Sequence, residues 1–437
     1  MERTDVVVVG AGITGLSLDR ALARRGIGSL VLESASRPGG IIHSPEVEGR
    51  VLEMGPQRTR LVGPVRRLVD ELGLGDRVLT APDDFRLYIL RDGELRLVPL
   101  TPGEFVRTDL LTLRGKLRML LEPLTGPAKP GETVKEYVTR KLGREAHDYL
   151  VGPLYAGLYG SDPDRMLVDR TLGKALRTVG FSGRSLVVAG ARWMLTGGPA
   201  PPAASFVDGM QELTDALSRE AGDRVTLETP VTGIRPSDGE DGARWRVSTG
   251  EGEVAAREVV LTCPAHVASD VLRDAAPDAA DRLGRLNYNP LAMVHLCGDC
   301  ALEGHGFQVA PQEGLATRGV TYNATLFGRD GVYTAYLGAV TWPRVEELPL
   351  EEIGEVARRE FAGITGCETR VLHAGRTEMP AWDLSWTALE GLRLPDGLHL
   401  CANYVSRAGI PGRIIAAEEQ AEALAAALRG GEGRRES

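Results

Sequence analysis

Three glycines and one acid near the N-terminus have the residue types and the spacing to bind a dinucleotide. The run Gly10-Ala11-Gly12-Ile13-Thr14-Gly15 has the Gly-x-Gly-x-x-Gly pattern, and Glu33 follows it. Such glycines let the backbone approach a pyrophosphate at a helix N-terminus, and the acid accepts a hydrogen bond from a ribose hydroxyl. The alternative is an ordinary βαβ unit whose glycines serve packing alone. The candidate cofactor-binding residues here are Gly10, Gly12, Ile13, Thr14, Gly15, Glu33 and Ser34.

A second glycine turn indicates which dinucleotide is bound. Arg37-Pro38-Gly39-Gly40 stands shortly after Glu33. Its backbone N–H groups would add to those that face the phosphates, which an NAD enzyme does not need. The pattern also resembles the Arg-x-Gly-Gly signature of FAD enzymes related to amine oxidases, and this resemblance favours FAD over a generic Gly-Gly turn. Arg37, Gly39 and Gly40 join the candidate cofactor residues, and Arg37 either meets a phosphate or holds a surface ion pair.

The glycine motif needs a strand before it and a helix after it. Residues 4–9 are a β-branched apolar run typical of a buried parallel strand. Residues 16–25 predict the helix, and residues 29–32 predict a second strand that ends at the acid. Asp19 departs from the pattern, because a small residue usually faces the sheet there.

The other predicted elements interleave along the chain. Strands are predicted at 225–231, 245–249, 258–262 and 398–402, and helices at 210–220 and 413–428. Residues 101–200 are helical and rich in arginine, whereas 290–385 consist of strands and turns.

These elements predict an α/β fold with a discontinuous Rossmann-type FAD-binding domain. We assign residues 1–75, 203–285 and 386–437 to it. An inserted α+β substrate-binding domain takes residues 76–100 and 286–385, and a helical insertion takes residues 101–202.

Composition narrows the class of protein. The 437 residues are 43% hydrophobic and 25% charged, as in globular proteins, and the net charge of −9 does not favour nucleic acid. We expect neither a signal peptide nor a membrane-spanning segment. The five cysteines are few and odd in number, which fits a reducing cytoplasm. Cys297-x-x-Cys300 has no second pair for zinc, so no metal site is predicted.

Further motifs resemble those of the protoporphyrinogen and coproporphyrinogen oxidase family, FAD-dependent flavoproteins related to amine oxidases. The segment Glu53-Met54-Gly55-Pro56-Gln57 is similar to the family's Glu-x-Gly-Pro motif, and Val207-Asp208-Gly209-Met210-Gln211 to its Gly-Gly-Met-Gln motif. The most discriminating segment is 153–160, which resembles the family's Gly-Ile-Tyr-Ala-Gly region. The departures from the family pattern are Ile41, Trp382, Ala402 and Arg407.

The resemblance implies non-covalently bound FAD and assigns further cofactor residues. Val231 would contact adenine. The helix that follows Pro411 would direct its N-terminus at the flavin and stabilise negative charge there. The residues implied by the resemblance are Gly55, Pro56, Gln57, Val231, Trp382, Ala408, Gly409 and Ile410.

Porphyrinogen oxidation needs cations for the substrate's carboxylates more than it needs a strong base. Arg60 resembles the family's substrate-facing arginine, and a guanidinium suits a bidentate grip on a carboxylate. The neighbouring Arg58 is expected to point the other way. Asn403 and Tyr404 are candidates to line the substrate side of the flavin. No catalytic residue is assigned.

The implied function is oxidation of coproporphyrinogen III or protoporphyrinogen IX to the porphyrin by dioxygen, in haem biosynthesis. Resemblance places the helical insertion where the family contacts membranes. A cavity wall or ordinary packing is favoured over that contact, and the arginines Arg165, Arg184 and Arg192 suit the tetracarboxylate. Cytoplasmic location follows, and a homodimer is left open. The alternatives are another flavin amine oxidase or desaturase, or a non-catalytic protein that binds FAD and porphyrin.

Overall fold

Short strands and helices alternate along the chain. The computed structural model describes residues 2–84, 86–171, 185–188, 201–238, 242–338, 342–405 and 409–432. The strands are β1 (Glu2–Val9), β2 (Ser29–Leu32), β3 (Glu46–Val47), β4 (Arg50–Val51), β5 (Thr59–Arg60), β6 (Val78–Thr80), β7 (Tyr88–Arg91), β8 (Glu94–Leu97), β9 (Ala203–Phe206), β10 (Val225–Thr226), β11 (Val231–Pro236), β12 (Trp245–Thr249), β13 (Gly252–Leu261), β14 (Tyr288–Cys297), β15 (Gly306–Val309), β16 (Thr317–Tyr322), β17 (Val332–Gly338), β18 (Arg370–Pro380) and β19 (Leu398–Leu400). The α-helices are α1 (Ile13–Ala23), α2 (Gly63–Glu71), α3 (Pro102–Arg107), α4 (Leu113–Leu120), α5 (Val134–Leu142), α6 (Arg144–Ala146), α7 (Gly152–Tyr159), α8 (Gln211–Ala221), α9 (Ala265–Val271), α10 (Pro277–Leu283), α11 (Asn323–Phe327), α12 (Leu350–Thr365) and α13 (Gly409–Glu432).

The first sheet is the Rossmann-type sheet. Its order is β10-β2-β1-β13-β12-β11, with β19 beside β13. β1, β2, β10, β13 and β19 run parallel to one another. β12 pairs antiparallel with both of its neighbours, β13 and β11. The valines of β1 alternate between two apolar clusters, one on each face of the sheet. Both faces are therefore covered, as a parallel sheet requires, and the predicted α/β class is confirmed. The assigned domain boundaries stay a prediction.

Local differences from the predicted elements have local causes. Helix α1 begins at Ile13, directly after Gly12, rather than at residue 16. The strand predicted at 225–231 is interrupted because Pro230 offers no N–H to a ladder and Glu228 has a φ of 52°. Helix α13 begins at Gly409, before the predicted residue 413.

Asp19 is accommodated by a buried ion pair. Its side chain is fully buried and accepts hydrogen bonds from Ser29 Oγ at 2.7 Å and from Arg224 Nη2 at 3.0 Å. The charge therefore has two partners where a small residue was expected, and α1 keeps its place on the sheet.

The second sheet is mostly antiparallel and has the order β18-β14-β17-β16-β15-β7-β8. The strands expected within residues 290–385 are present, and β14 and β17 are among them. Helix α12 packs on this sheet through Ile353, Ala357 and Phe361, which share its apolar cluster. β7 and β8, which precede the helical stretch in sequence, lie at one edge of this second sheet.

The helical stretch exposes an apolar ridge. Leu110 and Leu111 are buried, but large apolar side chains around α3 and α4 face solvent. We define the apolar ridge as Val106, Leu113, Leu117, Leu120, Leu121 and Leu124. Among the helices that the structure describes, none is both long enough and apolar enough to cross a membrane.

The cysteines do not all stay free, which the sequence did not predict. Cys300 forms a disulfide with Cys367, and their Cα atoms lie 5.8 Å apart. The loop after β14 and the loop after α12 bring these residues together from distant parts of the sequence. Cys263, Cys297 and Cys401 are free thiols.

Candidate functional site

The candidate cofactor site lies at the carboxyl edge of the parallel strands. Strand register places Val9 beside both Leu32 and Leu261, and Leu261 beside Leu400. The residues that follow these strand ends therefore meet along one edge. Ligands of open α/β sheets bind in the crevice at this edge.

The first glycine turn has the geometry that a phosphate needs. A Cβ at Gly15 would lie 1.9 Å from the carbonyl oxygen of Gly10, so only glycine lets α1 pack this closely on the turn. A Cβ at Gly12 would meet nothing within 4 Å, so space is open there. Gly12 is also the N-cap of α1 and offers no side chain to its first N–H groups. The open space and the helix N-terminus together suit an anion.

The second glycine turn lies directly against the first. Gly39 forms a β-bridge with Gly12 and donates its N–H to the carbonyl of Ala11 at 2.8 Å. Gly39 and Gly40 have φ angles of 100° and 59°, which favour glycine. The two turns thus lie side by side, and the N–H of Gly39 is used to join them; that their other N–H groups face phosphates stays a prediction.

Among the described residues, Arg37 has no carboxylate within ion-pair distance, and its contact with a phosphate stays a prediction. Its guanidinium donates to the carbonyl oxygens of Pro38 and Ile42 at 3.1 Å and of Gly40 at 2.8 Å. Burial lowers the pKa of Arg37, partly offset by the charges of Glu33 and Asp215. Its role is to brace the second glycine turn.

Glu33 is buried and already organised by backbone donors. Its Oε2 accepts the N–H of Ala11 at 2.7 Å, and its Oε1 accepts the N–H of Ala35 at 2.9 Å. Ser34 Oγ also donates to Oε1, at 3.3 Å. The carboxylate therefore ties the end of β2 to the glycine turn, in the place predicted for a ribose acceptor.

Two further predicted groups of cofactor residues lie along the same edge. The N–H of Thr229 donates to the carbonyl of Glu33 at 2.8 Å, which brings half-buried Val231 near the acid. Ile410, at the start of α13, belongs to the same apolar cluster as Ala11 and Ile13. Gly409 begins that helix, whereas Ala408 lies outside the described residues.

The segment 53–57 joins the first sheet to the second. The carboxylate of Glu53, which is 1% exposed, accepts from Ser44 Oγ at 2.6 Å, from the N–H of Met210 at 2.9 Å and from Arg329 Nη2 at 3.2 Å. Burial raises the pKa of Glu53, and the Ser44 hydroxyl and the Arg329 charge oppose that shift. Sequence reasoning assigned Glu53 to a motif but missed its partner Arg329, which stands far along the chain.

Gly55 and Gln57 fix the same segment from both sides. A Cβ at Gly55 would lie 2.0 Å from the carbonyl oxygen of Ile41, so Gly55 packs on the residue after the second glycine turn. Gln57 Oε1 accepts from Asn323 Nδ2 at 2.8 Å and from Thr334 Oγ1 at 3.2 Å, both in the second sheet's domain. Pro56 between them is half-buried, so the predicted Gly-Pro-Gln turn lies between the two sheets.

An aromatic group packs in the apolar cluster that covers one face of the first sheet. Trp382, with a φ of 52°, stacks on Trp386 at 5.4 Å between ring centroids, and Trp386 Nε1 donates to the carbonyl of Tyr404 at 3.1 Å. Tyr404 is buried, and its hydroxyl has no hydrogen-bond partner in the described part of the chain. Burial raises the pKa of Tyr404 well above its usual value. Asn403 beside it is half-buried.

Arg58 and Arg60 are near enough for their charges to interact, but they differ in exposure. The directions in which the two side chains point stay a prediction. Their positive charges both lower the pKa of His305, and the charge of Arg60 lowers that of Arg58. Arg60 is exposed and donates to the carbonyl of Pro201 at 3.0 Å, whereas Arg58 is half-buried.

Of the three arginines proposed from the helical insertion, only one lies in the part of the chain that the structure describes. Arg165 faces Asp383 at 3.5 Å, so it already has a counter-ion. Arg184 and Arg192 lie outside the described residues.

The amino-acid sequence is similar to those of known flavoproteins. A family model described as flavin containing amine oxidoreductase matches residues 13–425. The chain belongs to that family. Over 356 residues it is 34% identical to a chloroplastic protoporphyrinogen oxidase of Oryza sativa subsp. japonica, covering 74% of this chain and 66% of the rice protein, about two thirds of its length. It is also 30% identical to a coproporphyrinogen III oxidase of Staphylococcus aureus over 177 residues, 37% of each chain.

Solved structures extend the likeness in fold across the whole chain. A protein of Exiguobacterium sp. 255-15, named a candidate protoporphyrinogen oxidase, superposes with a TM-score of 0.78 at 22% identity and covers 97% of this chain and 98% of its own. Cyclohexylamine oxidase from Brevibacterium oxydans superposes with a TM-score of 0.69 at 18% identity, covering 98% and 99%. The same fold therefore carries different substrates, and the fold alone does not choose between them.

The residues of the crevice fit a flavin dinucleotide. The double glycine turn offers N–H groups and open space for phosphates, and Glu33 offers an acceptor. In the described part of the chain, no group of three or more metal-ligating side chains is close enough to hold a metal ion.

Replacing Glu33 with Ala is expected to weaken flavin binding about 5- to 150-fold, or about 1–3 kcal/mol. The change removes the ribose acceptor and leaves the Ala11 N–H without its carboxylate. Fluorescence titration of flavin into the stripped protein measures the affinity. Glu251→Ala, in the exposed turn between β12 and β13, is the matched control. Equal affinity in both variants would place the ribose elsewhere.

His295 makes folding stability depend on pH. Its ring is buried and donates through Nε2 to the carbonyl of Glu53 at 3.0 Å, and burial lowers its pKa to about 4. Because the unfolded pKa is about 6.5, the neutral ring stabilises the fold fully above that value, and the contribution is lost as the pH falls towards 4. The loss over this window is about 3 kcal/mol.

Urea unfolding between pH 4 and pH 7 tests this expectation. We expect His295→Gln to flatten the pH dependence of the free energy of unfolding relative to the wild type. His266→Gln, which changes an exposed histidine, should keep the wild-type slope. A wild-type slope in the His295 variant would show that this ring does not titrate on unfolding in that window.

Proposed function

We propose that this chain is an FAD-dependent oxidase that converts a porphyrinogen to the porphyrin in haem biosynthesis, with dioxygen as acceptor. The observation that carries the proposal is the crevice in which Gly12, the Gly39-Gly40 turn and Glu33 meet. The names of the similar protoporphyrinogen and coproporphyrinogen oxidases support the substrate class.

The chain's own groups bind and orient the cofactor. The N-terminus of α1 and the backbone of the second turn favour the negative phosphates, and Glu33 accepts from the ribose. The N-terminus of α13 favours negative charge at the flavin ring. When bound, the flavin takes up the electrons removed from the substrate and passes them to dioxygen in successive two-electron steps.

The remaining residues position the substrate. Asn403 and Tyr404, which follow β19, are the residues we propose to line the substrate side of the flavin. Arg58 and Arg60 supply positive charge to the substrate's carboxylates. No strong base is required, because the porphyrinogen releases protons from its own pyrrole nitrogens.

Two alternatives predict different outcomes. A flavin amine oxidase or desaturase would act on an amine or an apolar substrate and ignore porphyrinogens. A non-catalytic protein would bind FAD and porphyrin without consuming oxygen. Oxygen consumption with a porphyrinogen excludes both.

The cofactor is expected to be FAD held without a covalent bond. Cys401 and Cys263 are buried free thiols, and burial raises their pKa values to about 11 and about 12, which disfavours the nucleophilic thiolate. Acid precipitation should leave the yellow colour in the supernatant, where chromatography identifies FAD. Colour that stays with the precipitate would contradict non-covalent binding, and FMN in the supernatant would contradict the dinucleotide.

The preferred substrate is expected to be coproporphyrinogen III, in the cytoplasm, with activity that falls as salt screens the arginines. Steady-state oxygen consumption with both porphyrinogens, at low and high salt and with or without lipid vesicles, measures this. A preference for protoporphyrinogen that requires lipid would contradict both the substrate and the location.

The experiment includes lipid vesicles because of the exposed apolar ridge. Exposed large apolar side chains beside the exposed Arg107 and Arg114 suit a peripheral contact with an anionic membrane surface. This second candidate role, which the sequence disfavoured, is compatible with either substrate.

A further inference from the structure

The disulfide between Cys300 and Cys367 joins two loops of the second sheet's domain. Cys300 lies in the loop after β14 and Cys367 in the loop after α12, and their Cα atoms are 5.8 Å apart. The two residues are 67 positions apart in sequence, and β15, β16, β17 and α12 lie between them. We call the Cys300–Cys367 disulfide the clamp, because it fastens the end of α12 to the end of β14.

The clamp lies close to solvent. Cys300 and Cys367 are both half-buried, and the residues next to each of them in sequence are exposed: Asp299, Ala301, Gly366 and Glu368. A Cβ added at Gly366 would meet nothing within 4 Å, so the space beside this loop is open. Thiol–disulfide exchange needs access to a sulfur atom. The position of the clamp therefore suits attack by a thiol while the protein stays folded.

The three free cysteines have different surroundings. Cys263 and Cys401 are buried, and burial raises the pKa values of their thiols to about 12 and about 11, which disfavours the reactive thiolate. Cys297 ends β14, where it is paired in register with Val332 of β17 and Arg370 of β18. Redox chemistry at this end of the sheet therefore has two built-in buried controls and one neighbouring free thiol for comparison.

Each loop of the clamp is also held by contacts other than the disulfide. The carbonyl oxygen of Cys300 accepts from Tyr333 Oη at 3.2 Å and from the N–H of Leu302 at 2.9 Å. The N–H of Cys367 donates to Thr365 Oγ1 at 3.2 Å. These contacts do not need the sulfur–sulfur bond. They would keep the two reduced thiols near each other, so that the bond can form again.

The loop after α12 also contacts the part of the chain that leads from the glycine turns to Glu53. Arg370, three residues after Cys367, donates from Nη1 to Glu48 Oε1 at 3.1 Å. Glu48 lies in the turn between β3 and β4, and this hairpin precedes Glu53 directly. A loosening of the loop after α12 would therefore reach the hairpin through this ion pair.

We propose that Cys300 and Cys367 form a reversible redox site, which exchanges with a dithiol reductant in the folded protein and clamps the end of the second sheet when oxidised. Disulfides in a reducing cytoplasm are usually transient, catalytic or redox-sensing, and exposed disulfides are the more labile ones. The argument from the compartment rests on the proposed function and its location. The exposure of the clamp and the contacts of its loops do not.

The exchange balances in two steps. A thiolate of the reductant attacks one sulfur of the clamp, the sulfur–sulfur bond breaks, and the other cysteine leaves as a thiolate that takes up a proton. The second thiol of the reductant then displaces the mixed disulfide and releases the first cysteine, also as a thiol. The protein gains two electrons and two protons, and the dithiol loses them and becomes a disulfide. An excess of that disulfide drives the same steps in reverse.

Differential alkylation of the native flavin-loaded protein tests the proposal. The protein is treated with dithiothreitol without denaturant, free thiols are blocked with iodoacetamide, and the labelled peptides are identified by mass spectrometry. We expect labelling of Cys300 and Cys367 to rise from below about 10% to above about 90%, and to fall again after incubation with oxidised dithiothreitol or oxidised glutathione. Cys263 and Cys401 should stay unlabelled throughout, and the flavin spectrum should not change.

Hydrogen exchange measures the clamp itself. Reduction should speed amide exchange about threefold to tenfold in residues 298–302 and 365–370, with a smaller rise in the hairpin 46–51 and none in β1. C367S should show the faster exchange without dithiothreitol and no further change with it. C297S, which removes the neighbouring free thiol, is the matched control and should respond to dithiothreitol as the wild type does.

No porphyrinogen enters these measurements, so their failure is distinct from a failure of the proposed oxidation. Cys300 and Cys367 that stay unlabelled in native protein would overturn the redox site, and so would labelling that appears only with loss of flavin and labelling of Cys263. Thiols that do not pair again on oxidation would overturn its reversibility. Equal exchange rates in the oxidised and reduced protein would overturn the clamp, and a C297S protein that no longer responds would overturn the assignment to this pair.

Discussion

The buried carboxylate of Glu53 is the interaction on which the arrangement of the two sheets depends. Its donors come from the segment after the second glycine turn, from the start of α8 and from Arg329 before β17. Its backbone carbonyl accepts from His295 of β14. A buried charge with this many partners is costly to disturb, since loss of any donor leaves polar groups unpaired. The segment 53–57 is therefore held in one place between the cofactor edge and the second sheet.

That placement connects cofactor binding to substrate binding. Gly55 packs on the backbone next to the double glycine turn, and the chain continues through Arg58 into β5, which contains Arg60. One short segment thus connects the predicted phosphate surface to the arginine proposed for the substrate's carboxylates. Positioning of this kind, rather than a strong acid or base, is what flavin oxidation demands of the protein.

Much of the cofactor half could be predicted from the sequence, because its signals are local. The glycine spacing, the strand ending at Glu33 and the Gly39-Gly40 turn each act within a few residues, and their geometry follows from steric limits. Other contacts join residues that are far apart in sequence, so no local pattern predicts them. They are the ion pairs Asp19–Arg224 and Glu53–Arg329 and the Cys300–Cys367 disulfide. Arg58 and Arg60 show the same limit, because the sequence alone does not give the half-buried surroundings of Arg58 beside the exposed Arg60.

The most direct measurement of the central claim is a single anaerobic turnover. Purified protein with its bound flavin is mixed with coproporphyrinogen III without oxygen, and the absorbances of the flavin and of the tetrapyrrole after its first two-electron oxidation are followed together, because one flavin accepts only two electrons. The account predicts that the flavin bleaches and that substrate oxidation proceeds with the same rate constant, with colour returning when oxygen is admitted. A flavin that stays oxidised while the porphyrinogen is bound would contradict it.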